Sequence, residues 1–278
     1  LLSREALFLL NNLLFMGIVV ACFWGVIFPL LTEALGFVGQ RIPALATVFT
    51  GEKVTVGPPF YQRTTGPMFA GLLLLMGVAP LAAWRHSTAK TLGRAMWKPA
   101  AASLLVLAAL LAAGLRSFGA LLGFWICAFV ALVTLYEFWR GAQSRHKTSG
   151  ESLPVALWTL AARNRRRYGG YIIHLGVIVM AIGIIANASF QKETQGTLAR
   201  GEQLTLAGYT MTYDSLAQFD TADGRNVARA VITVYKNGQK LGELYPRRDY
   251  YVASQQPMII PGVRSSIEDD FYVLLVGW

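Results

Sequence analysis

Five long apolar runs occupy most of the first two thirds of the chain. They cover approximately residues 6–31, 66–84, 99–114, 118–139 and 171–187. A helix needs about 20 apolar residues to cross the hydrocarbon core of a bilayer, and these runs reach or approach that length. The third run is short and rich in alanine, but five crossings agree with the distribution of charged loops. The pattern therefore predicts a polytopic α-helical membrane protein with five spans.

The pattern changes after residue 187, where β-branched and aromatic residues are interspersed with polar ones. Asn237 and Gly238 separate two such runs, and this pair is a strong signal for a two-residue hairpin turn. We expect loops at residues 220–226 and 254–262, and a further strand in the apolar segment that starts at Asp269. Residues 188–278 are therefore predicted to form a small β domain.

Basic residues are concentrated in the apolar part of the chain. Residues 1–187 contain 16 Lys and Arg against 5 Asp and Glu, whereas residues 188–278 contain 9 against 10. Most of the excess falls in two loops, residues 85–98 and 140–170, which the positive-inside rule places in the cytoplasm. The loop at residues 32–65 and the β domain then lie outside. We predict a multi-pass protein of the bacterial inner (plasma) membrane with an extracytoplasmic β domain.

The composition also argues against several classes of function. The β domain has no basic excess, so no nucleic-acid partner is expected. The two cysteines, Cys22 and Cys127, form neither a CxxC nor a CxxCH motif, which argues against a zinc site or a c-type cytochrome. Hydrolase and nucleotide-dependent activities lack a motif. The lipid bilayer is the first predicted partner.

His174 is the residue most indicative of function, because it lies inside the last predicted span. An ionisable side chain within a membrane helix is costly and suggests a functional site. At helical spacing it shares a stripe with apolar residues of moderate size: Gly170, Val177, Ile178, Ala181 and Ile185. This stripe could accommodate a flat apolar ligand such as haem. The alternative is a neutral imidazole hydrogen-bonded to a neighbouring helix, and the helix pattern alone favours that alternative.

Two groups of residues flank the predicted position of His174. Gly169, Gly176 and Gly183 lie on the opposite side of the helix, where small residues favour close approach of a neighbouring helix. Arg165, Arg166 and Arg167 lie about two turns before His174. Because arginine suits bidentate pairing with carboxylates, these residues could contact haem propionates. The alternative is that they only anchor the helix on the cytoplasmic side.

Several segments resemble the CcmF/NrfE family of cytochrome c maturation haem lyases, and they occur in order through most of the chain. The histidine helix, RRRYGGYIIHLGVIVMAIGI, is one of them. The others are residues 3–15, 51–62, 244–251 and 269–277. The resemblance identifies the chain as the C-terminal half of a haem lyase. The family to which the chain shows this resemblance includes relatives dedicated to a nitrite reductase cytochrome.

The resemblance implies an enzyme that attaches haem covalently to the CxxCH cysteines of apocytochrome c through thioether bonds. The implied partners are the haem chaperone CcmE, CcmH and the apocytochrome, and the implied cofactors are a substrate haem and a membrane haem b. By position, His174 resembles one of the two axial ligands of this haem b, which is thought to reduce the incoming haem. The Arg165–Arg167 run would then provide propionate contacts.

Several features of the family are not found in this sequence. These are the Trp-rich external segment that holds the substrate haem, two external histidines, the second membrane histidine and a final helix after the β domain. We therefore expect an excerpt that keeps one haem b ligand but not the lyase site itself. The alternative is a non-enzymatic membrane scaffold or transporter subunit without haem.

Overall fold

The computed structural model describes residues 3–41, 54–81 and 89–277. The chain divides into two units, Leu1–Phe190 and Gln191–Trp278. The first is helical, and its last helix ends at the boundary. The second is built from short antiparallel strands. The predicted change in pattern near residue 187 therefore lies within the last turn of a helix.

Among the described residues, the first unit contains six α-helices. They are α1 (Arg4–Arg41), α2 (Pro58–Val78), α3 (Ala89–Ala112), α4 (Phe118–Ser149), α5 (Leu153–Arg163) and α6 (Arg165–Phe190). Four helices, α1, α2 with the turn that follows it, α4 and α6, are long and apolar enough to cross a membrane. The apolar part of α3, Met96–Ala112, is shorter. The predicted polytopic helical fold is confirmed, and its five spans correspond approximately to these five helices.

The segments predicted to link the spans are largely helical where the structure describes them, and residues 42–53 and 85–88 of these segments lie outside the described residues. In the loop expected at residues 32–65, α1 continues to Arg41 and α2 already begins at Pro58. The loop expected at residues 140–170 holds the end of α4, all of α5 and the start of α6. In the loop expected at residues 85–98, α3 begins at Ala89. Hydropathy detects only the part of a helix that suits lipid, whereas Arg, Lys, Gln and Ala continue a helix readily into water.

Helix α4 is central to the first unit and packs against α2, α3, α5 and α6. The buried core of this unit consists of Ile126, Cys127, Phe129, Val130 and Val133 from α4 with Ile178 from α6. Gly77 brings α2 close to α4, because a methyl group at this position would lie 3.1 Å from Val130 Cγ2. Trp125 Nε1 donates a hydrogen bond to Ser103 Oγ on α3 at 3.1 Å. These contacts fix the helices that surround the site described below.

The described part of the second unit contains eight strands. They are β1 (Gln203–Leu206), β2 (Tyr209–Asp220), β3 (Arg225–Lys236), β4 (Gln239–Leu244), β5 (Arg247–Tyr251), β6 (Gln256–Ile260), β7 (Gly262–Ser265) and β8 (Asp270–Val273). Strands β1-β2-β3-β5-β6 follow one another in an antiparallel sheet, and β4 also pairs with β3. Strands β7 and β8 form a second, two-stranded sheet. The predicted β domain is therefore confirmed as a fold.

Two predictions of detail in this domain have opposite outcomes. The hairpin at Asn237-Gly238 is confirmed, since it joins β3 to β4 and both residues have positive φ angles, 51° and 84°. The loop predicted at residues 254–262 is wrong, because it contains β6, which pairs with β5. Pro257 suggested a loop, but it lies in a strand that has a neighbour on one side among the described strands, where proline is tolerated.

The core of the second unit lies on one face of β3. Ala230, Ile232 and Val234 are buried there together with Tyr209 of β2 and Val273 of β8. The rings of Tyr209 and Phe271 stack with centroids 4.5 Å apart. The small sheet β7-β8 therefore covers this face of the larger sheet.

Candidate functional site

A cavity of about 1050 Å³ lies between α1, α2 and α6. This volume is at the upper end of the range of about 300–1000 Å³ that is typical of ligand pockets. Helices α1 and α2 contribute mainly aliphatic and aromatic side chains to its wall, including Phe8, Phe15 and Phe69. Helix α6 contributes all the ionisable side chains, which are Arg166, Arg167, Tyr171 and His174, and Asn11 of α1 adds one amide. The cavity is therefore apolar on one side and carries ionisable groups on the other.

His174 lies on the cavity wall one turn after Gly170, as its place on the predicted stripe requires. Its Nδ1 atom is buried and has no hydrogen-bond partner among the described residues. Leaving a buried polar atom unpaired costs about 1–3 kcal/mol. The sequence left open the alternative that the imidazole is hydrogen-bonded to a neighbouring helix. Nδ1 makes no such bond to a described residue. No described residue therefore holds the ring through Nδ1, and the side chain stands on the cavity wall where a ligand could meet it.

The three consecutive arginines occupy different positions around α6. All three are exposed, but only Arg166 and Arg167 line the cavity. Arg167 Nε donates to Tyr171 Oη at 3.1 Å, and its guanidinium lies 5.7 Å from the centroid of the Tyr171 ring. The structure thus brings two of the three predicted arginines to the cavity that contains His174.

Glu137 on α4 is a residue of this region that the sequence analysis missed. It is 6% exposed, and it accepts hydrogen bonds from Arg140 Nη1 and Arg167 Nη2, both at 2.9 Å. A signal was present, because Glu137 is the only acidic residue within the five apolar runs. The argument that selected His174, the cost of an ionisable group at membrane depth, applies equally to this carboxylate.

The glycine stripe of α6 is not packed within the described chain. A methyl group added at Gly169, Gly176 or Gly183 would meet no described atom within 4 Å. Neighbouring apolar residues on this helix, such as Val179 and Ile184, are 69% and 68% exposed. The prediction that this face contacts another helix is therefore not fulfilled by any helix that the structure describes.

Comparison with known proteins finds similarity to one family over most of the chain. A family model described as the CcmF C-terminal beta-sandwich matches residues 189–277. The cytochrome c-type biogenesis protein CcmF of Pseudomonas fluorescens is 27% identical over 98% of this chain and 38% of its own length. The CcmF of Pseudomonas aeruginosa is 28% identical over the same shares. The chain is therefore similar to the C-terminal part of the CcmF/NrfE family.

The match extends over both units, but it covers only part of the relatives. The probable cytochrome c-type biogenesis protein NrfE of Escherichia coli is 28% identical over 44% of this chain and 22% of its own length. The chain spans about two fifths of the length of the CcmF relatives, and it corresponds to the C-terminal part of the family. No solved structure matches the chain.

The residues of the cavity fit the haem b that the resemblance to the CcmF/NrfE family led us to expect. The orphaned imidazole of His174 could coordinate iron, which in b-type haem proteins is commonly held by histidine. The aromatic and aliphatic wall suits an apolar ring. Arg166 and Arg167 provide N–H donors with the geometry that carboxylates require. Among the described lining residues only one histidine is present, so a second axial ligand would come from elsewhere.

Proposed function

We propose that this chain is the part of a cytochrome c haem lyase that holds a b-type haem within the membrane. The observation that carries the proposal is the buried, unpartnered Nδ1 atom of His174 on the wall of an apolar cavity with two arginines. The printed names of the curated relatives, cytochrome c-type biogenesis proteins, support a role in cytochrome c maturation. The membrane-spanning helices support a site at membrane depth.

In this proposal the side chains of the cavity have separate tasks. The imidazole of His174 provides one axial ligand, and the guanidinium groups of Arg166 and Arg167 pair with the propionates. The apolar side chains of α1 and α2 contact the ring and exclude water from it. When bound, the haem supplies one-electron redox chemistry. Arg165 is retained only as an anchoring residue, because it does not line the cavity.

The wider reaction belongs to the whole protein and extends the proposal beyond this chain. A haem lyase joins the vinyl groups of a substrate haem to the CxxCH thiols of apocytochrome c, and this step requires reduced haem. A redox haem in the same protein would meet that requirement. CcmE as haem donor and CcmH as the protein that helps to present the apocytochrome are the partners we propose. The β domain is proposed to lie on the extracytoplasmic side, because the basic loops favour the cytoplasm.

The test is the replacement His174→Ala in the full-length protein, followed by reduced-minus-oxidised difference spectra. We expect loss of the b-type absorption, because the variant removes the ligand to the iron. His146→Ala is a matched control, since His146 is exposed and its Nδ1 lies 2.6 Å from the carbonyl oxygen of Glu151, away from the cavity. A His174→Ala protein with the haem content of the wild type would reject the proposal. So would a wild-type protein with no Soret absorption, as a scaffold or transporter without haem would show.

A further inference from the structure

Glu137 is a buried carboxylate in a helix that is long and apolar enough to cross a membrane. An unpaired carboxylate in such a place would be costly, so its partners are informative. One partner, Arg140, is on the same helix, whereas the other, Arg167, is on α6, thirty residues further along the chain. The side chains of both arginines are more than half exposed. Glu137 is therefore the buried member of a group of charges that joins α4 to α6.

Arg167 lies at the boundary between Glu137 and the cavity of His174. It lines both that cavity and a smaller one of about 450 Å³ beside Glu137 and Arg140. Its Nη2 donates to Glu137 Oε2, and its Nε donates to Tyr171 Oη. A guanidinium has five N–H donors, so these two bonds leave three without an acceptor among the described residues. Glu137 and Tyr171 hold the group from two sides.

Tyr171 completes the arrangement. Its ring lies 6.3 Å from that of His174, centroid to centroid, and both side chains line the cavity. Its hydroxyl oxygen accepts the hydrogen bond from Arg167, so its own O–H remains as a donor. Arg167 and Tyr171 together therefore carry several donors beside the cavity, which is the pattern that binds a carboxylate.

We propose that Glu137 is a positioning residue for the carboxylate end of the cavity ligand. It fixes the Arg167 guanidinium so that the remaining N–H donors, with the Tyr171 hydroxyl, bind a carboxylate of the ligand on His174. This inference rests on the proposed function, because it takes that ligand to be a haem with propionate groups. Glu137 itself does not line the cavity and acts through Arg167.

The proposal differs from two simpler roles in what it predicts for the reduction potential of the haem. If Glu137 were only a nearby negative charge, Glu137→Gln would raise the potential, because removing negative charge favours the less positive, reduced iron. If Glu137 positions Arg167, the variant releases a cation from the propionate and lowers the potential, as Arg167→Gln does. A role limited to joining α4 and α6 would leave the potential unchanged in folded protein.

The experiment uses full-length protein purified with its haem. The variants are Glu137→Gln, Arg167→Gln and the double variant, with Arg140→Gln and Arg165→Gln as controls. Arg140 is the other partner of Glu137 but does not line the cavity of His174, and Arg165 belongs to the same run of arginines. Two quantities are measured: the rate at which haem passes to an excess of a haem-scavenging apoprotein, and the midpoint potential.

We expect Glu137→Gln and Arg167→Gln each to speed haem release about tenfold, because each variant removes or misplaces one charge-assisted hydrogen bond to the propionate. The double variant should release haem no faster than Arg167→Gln alone, because Glu137 acts through that residue. Both single variants should lower the midpoint potential, and both controls should stay within about twofold of the wild-type rate. If Glu137→Gln accumulates poorly, Glu137→Asp keeps the charge, withdraws it from Arg167 and should still speed release.

Each contrary outcome has a distinct meaning. A raised potential with an unchanged release rate in Glu137→Gln would overturn the positioning role, as would additive effects in the double variant. If Glu137→Asp and Glu137→Gln both behave as wild type while His174→Ala loses its haem, the inference fails and the proposed function stands. If His174→Ala keeps its haem, the proposed function fails and the inference fails with it.

Discussion

Each of the two units buries one carboxylate between two arginines, but the two arrangements are built differently. In the β domain, Asp249 is fully buried, and Arg225 Nη1 donates to its Oδ2 at 2.7 Å. Arg247 Nε lies 3.3 Å from the other carboxylate oxygen, but the two atoms are not aligned for a hydrogen bond. In the helical unit, Glu137 has a well-aligned hydrogen bond at each of its two oxygens.

In both arrangements the more distant arginine lies far from the carboxylate along the chain, 24 residues for Arg225 and 30 for Arg167, and the difference lies in what brings the partners together. Val227 is opposite Asp249 in the pairing of β3 with β5, so Arg225 is a diagonal neighbour on the same face of the sheet. Arg247 precedes Asp249 by two residues on the same strand and therefore also shares that face. Arg167 reaches Glu137 only because α4 and α6 pack together. Sheet register brings the first set of charges together, whereas helix packing brings the second set together.

The largest effect that tests this comparison is expected for Asp249→Ala. The variant leaves two guanidinium groups beside a buried space, and breaking a buried ion pair from one side costs about 3 kcal/mol or more. Hydrogen exchange of the backbone amides of β3 and β5, measured in the full-length protein, should become correspondingly faster. Exchange in α4 and α6 should not change, because they belong to the other unit.

Asp223→Ala is the matched control for this prediction. Asp223 also pairs with Arg225, at 2.8 Å, but its side chain is 58% exposed and its ion pair is screened by water. We expect little change in the exchange of β3 and β5. Equal effects of the two variants would contradict the view that burial, rather than the ion pair itself, makes Asp249 important.

A smaller effect is expected for Gly77→Ala, which tests the helix packing on which the site depends. The added methyl group would lie 3.1 Å from Val130 Cγ2 and 3.4 Å from Val130 Cα, so α2 must move away from α4. Overpacking of this kind typically costs about 1–3 kcal/mol. The midpoint of thermal unfolding of the detergent-solubilised full-length protein should fall.

Gly176→Ala provides the comparison within the same unit. A methyl group at Gly176 would meet no described atom within 4 Å, and alanine is favoured over glycine inside a helix. In the absence of another neighbour the thermal midpoint should be unchanged or slightly higher. A fall as large as that of Gly77→Ala would indicate that a helix outside the described residues packs on this face of α6.

The sequence was most informative where structure depends on neighbouring residues. Asn237 and Gly238 predicted a hairpin because the turn itself requires two residues with positive φ. His174 could be selected because its cost is set by the apolar residues around it in the same helix. The β6 strand was missed because the apolar run Met258-Ile259-Ile260 is stabilised by pairing with β5, a contact that the local sequence does not contain.

The positions of the arginines could not be predicted for a geometric reason. Successive residues of a helix are rotated by about 100°, so three consecutive arginines point in widely different directions. Which of them reaches the cavity depends on the rotation of α6 relative to α1 and α2. That rotation is fixed by contacts such as Ile178 with the core of α4, which lie far apart in the sequence. The partnership of Arg167 with Glu137 was hidden for the same reason.

The smallest expected effect concerns Asp269, a charge on the exposed side of the β domain. The pKa of its carboxyl group lies below the usual value because the Tyr209 hydroxyl and the Lys236 ammonium group donate hydrogen bonds to it. A lowered pKa in the folded state means that the folded protein binds this proton less readily than the unfolded chain. The stabilising contribution is therefore fully present well above the unfolded pKa of about 3.9, and it is lost as the pH falls through the lower folded pKa.

Asp269→Asn should accordingly weaken the contact of the β7-β8 sheet with the larger sheet near neutral pH, and its effect should be smaller at pH 3, which lies below the unfolded pKa of about 3.9. The measurement is hydrogen exchange of β8 in the full-length protein at both pH values, with rates corrected for the intrinsic pH dependence of exchange. Asp220→Asn is the control, because Asp220 lies at the end of β2 and bonds only to the exposed side chain of Asn226 among the described contacts. The contrary outcome is a difference between Asp269→Asn and wild type that is equally large at pH 3 and pH 7. It would show that the shape of the Asp269 side chain, and not the charge that Tyr209 and Lys236 stabilise, holds the two sheets of the domain together.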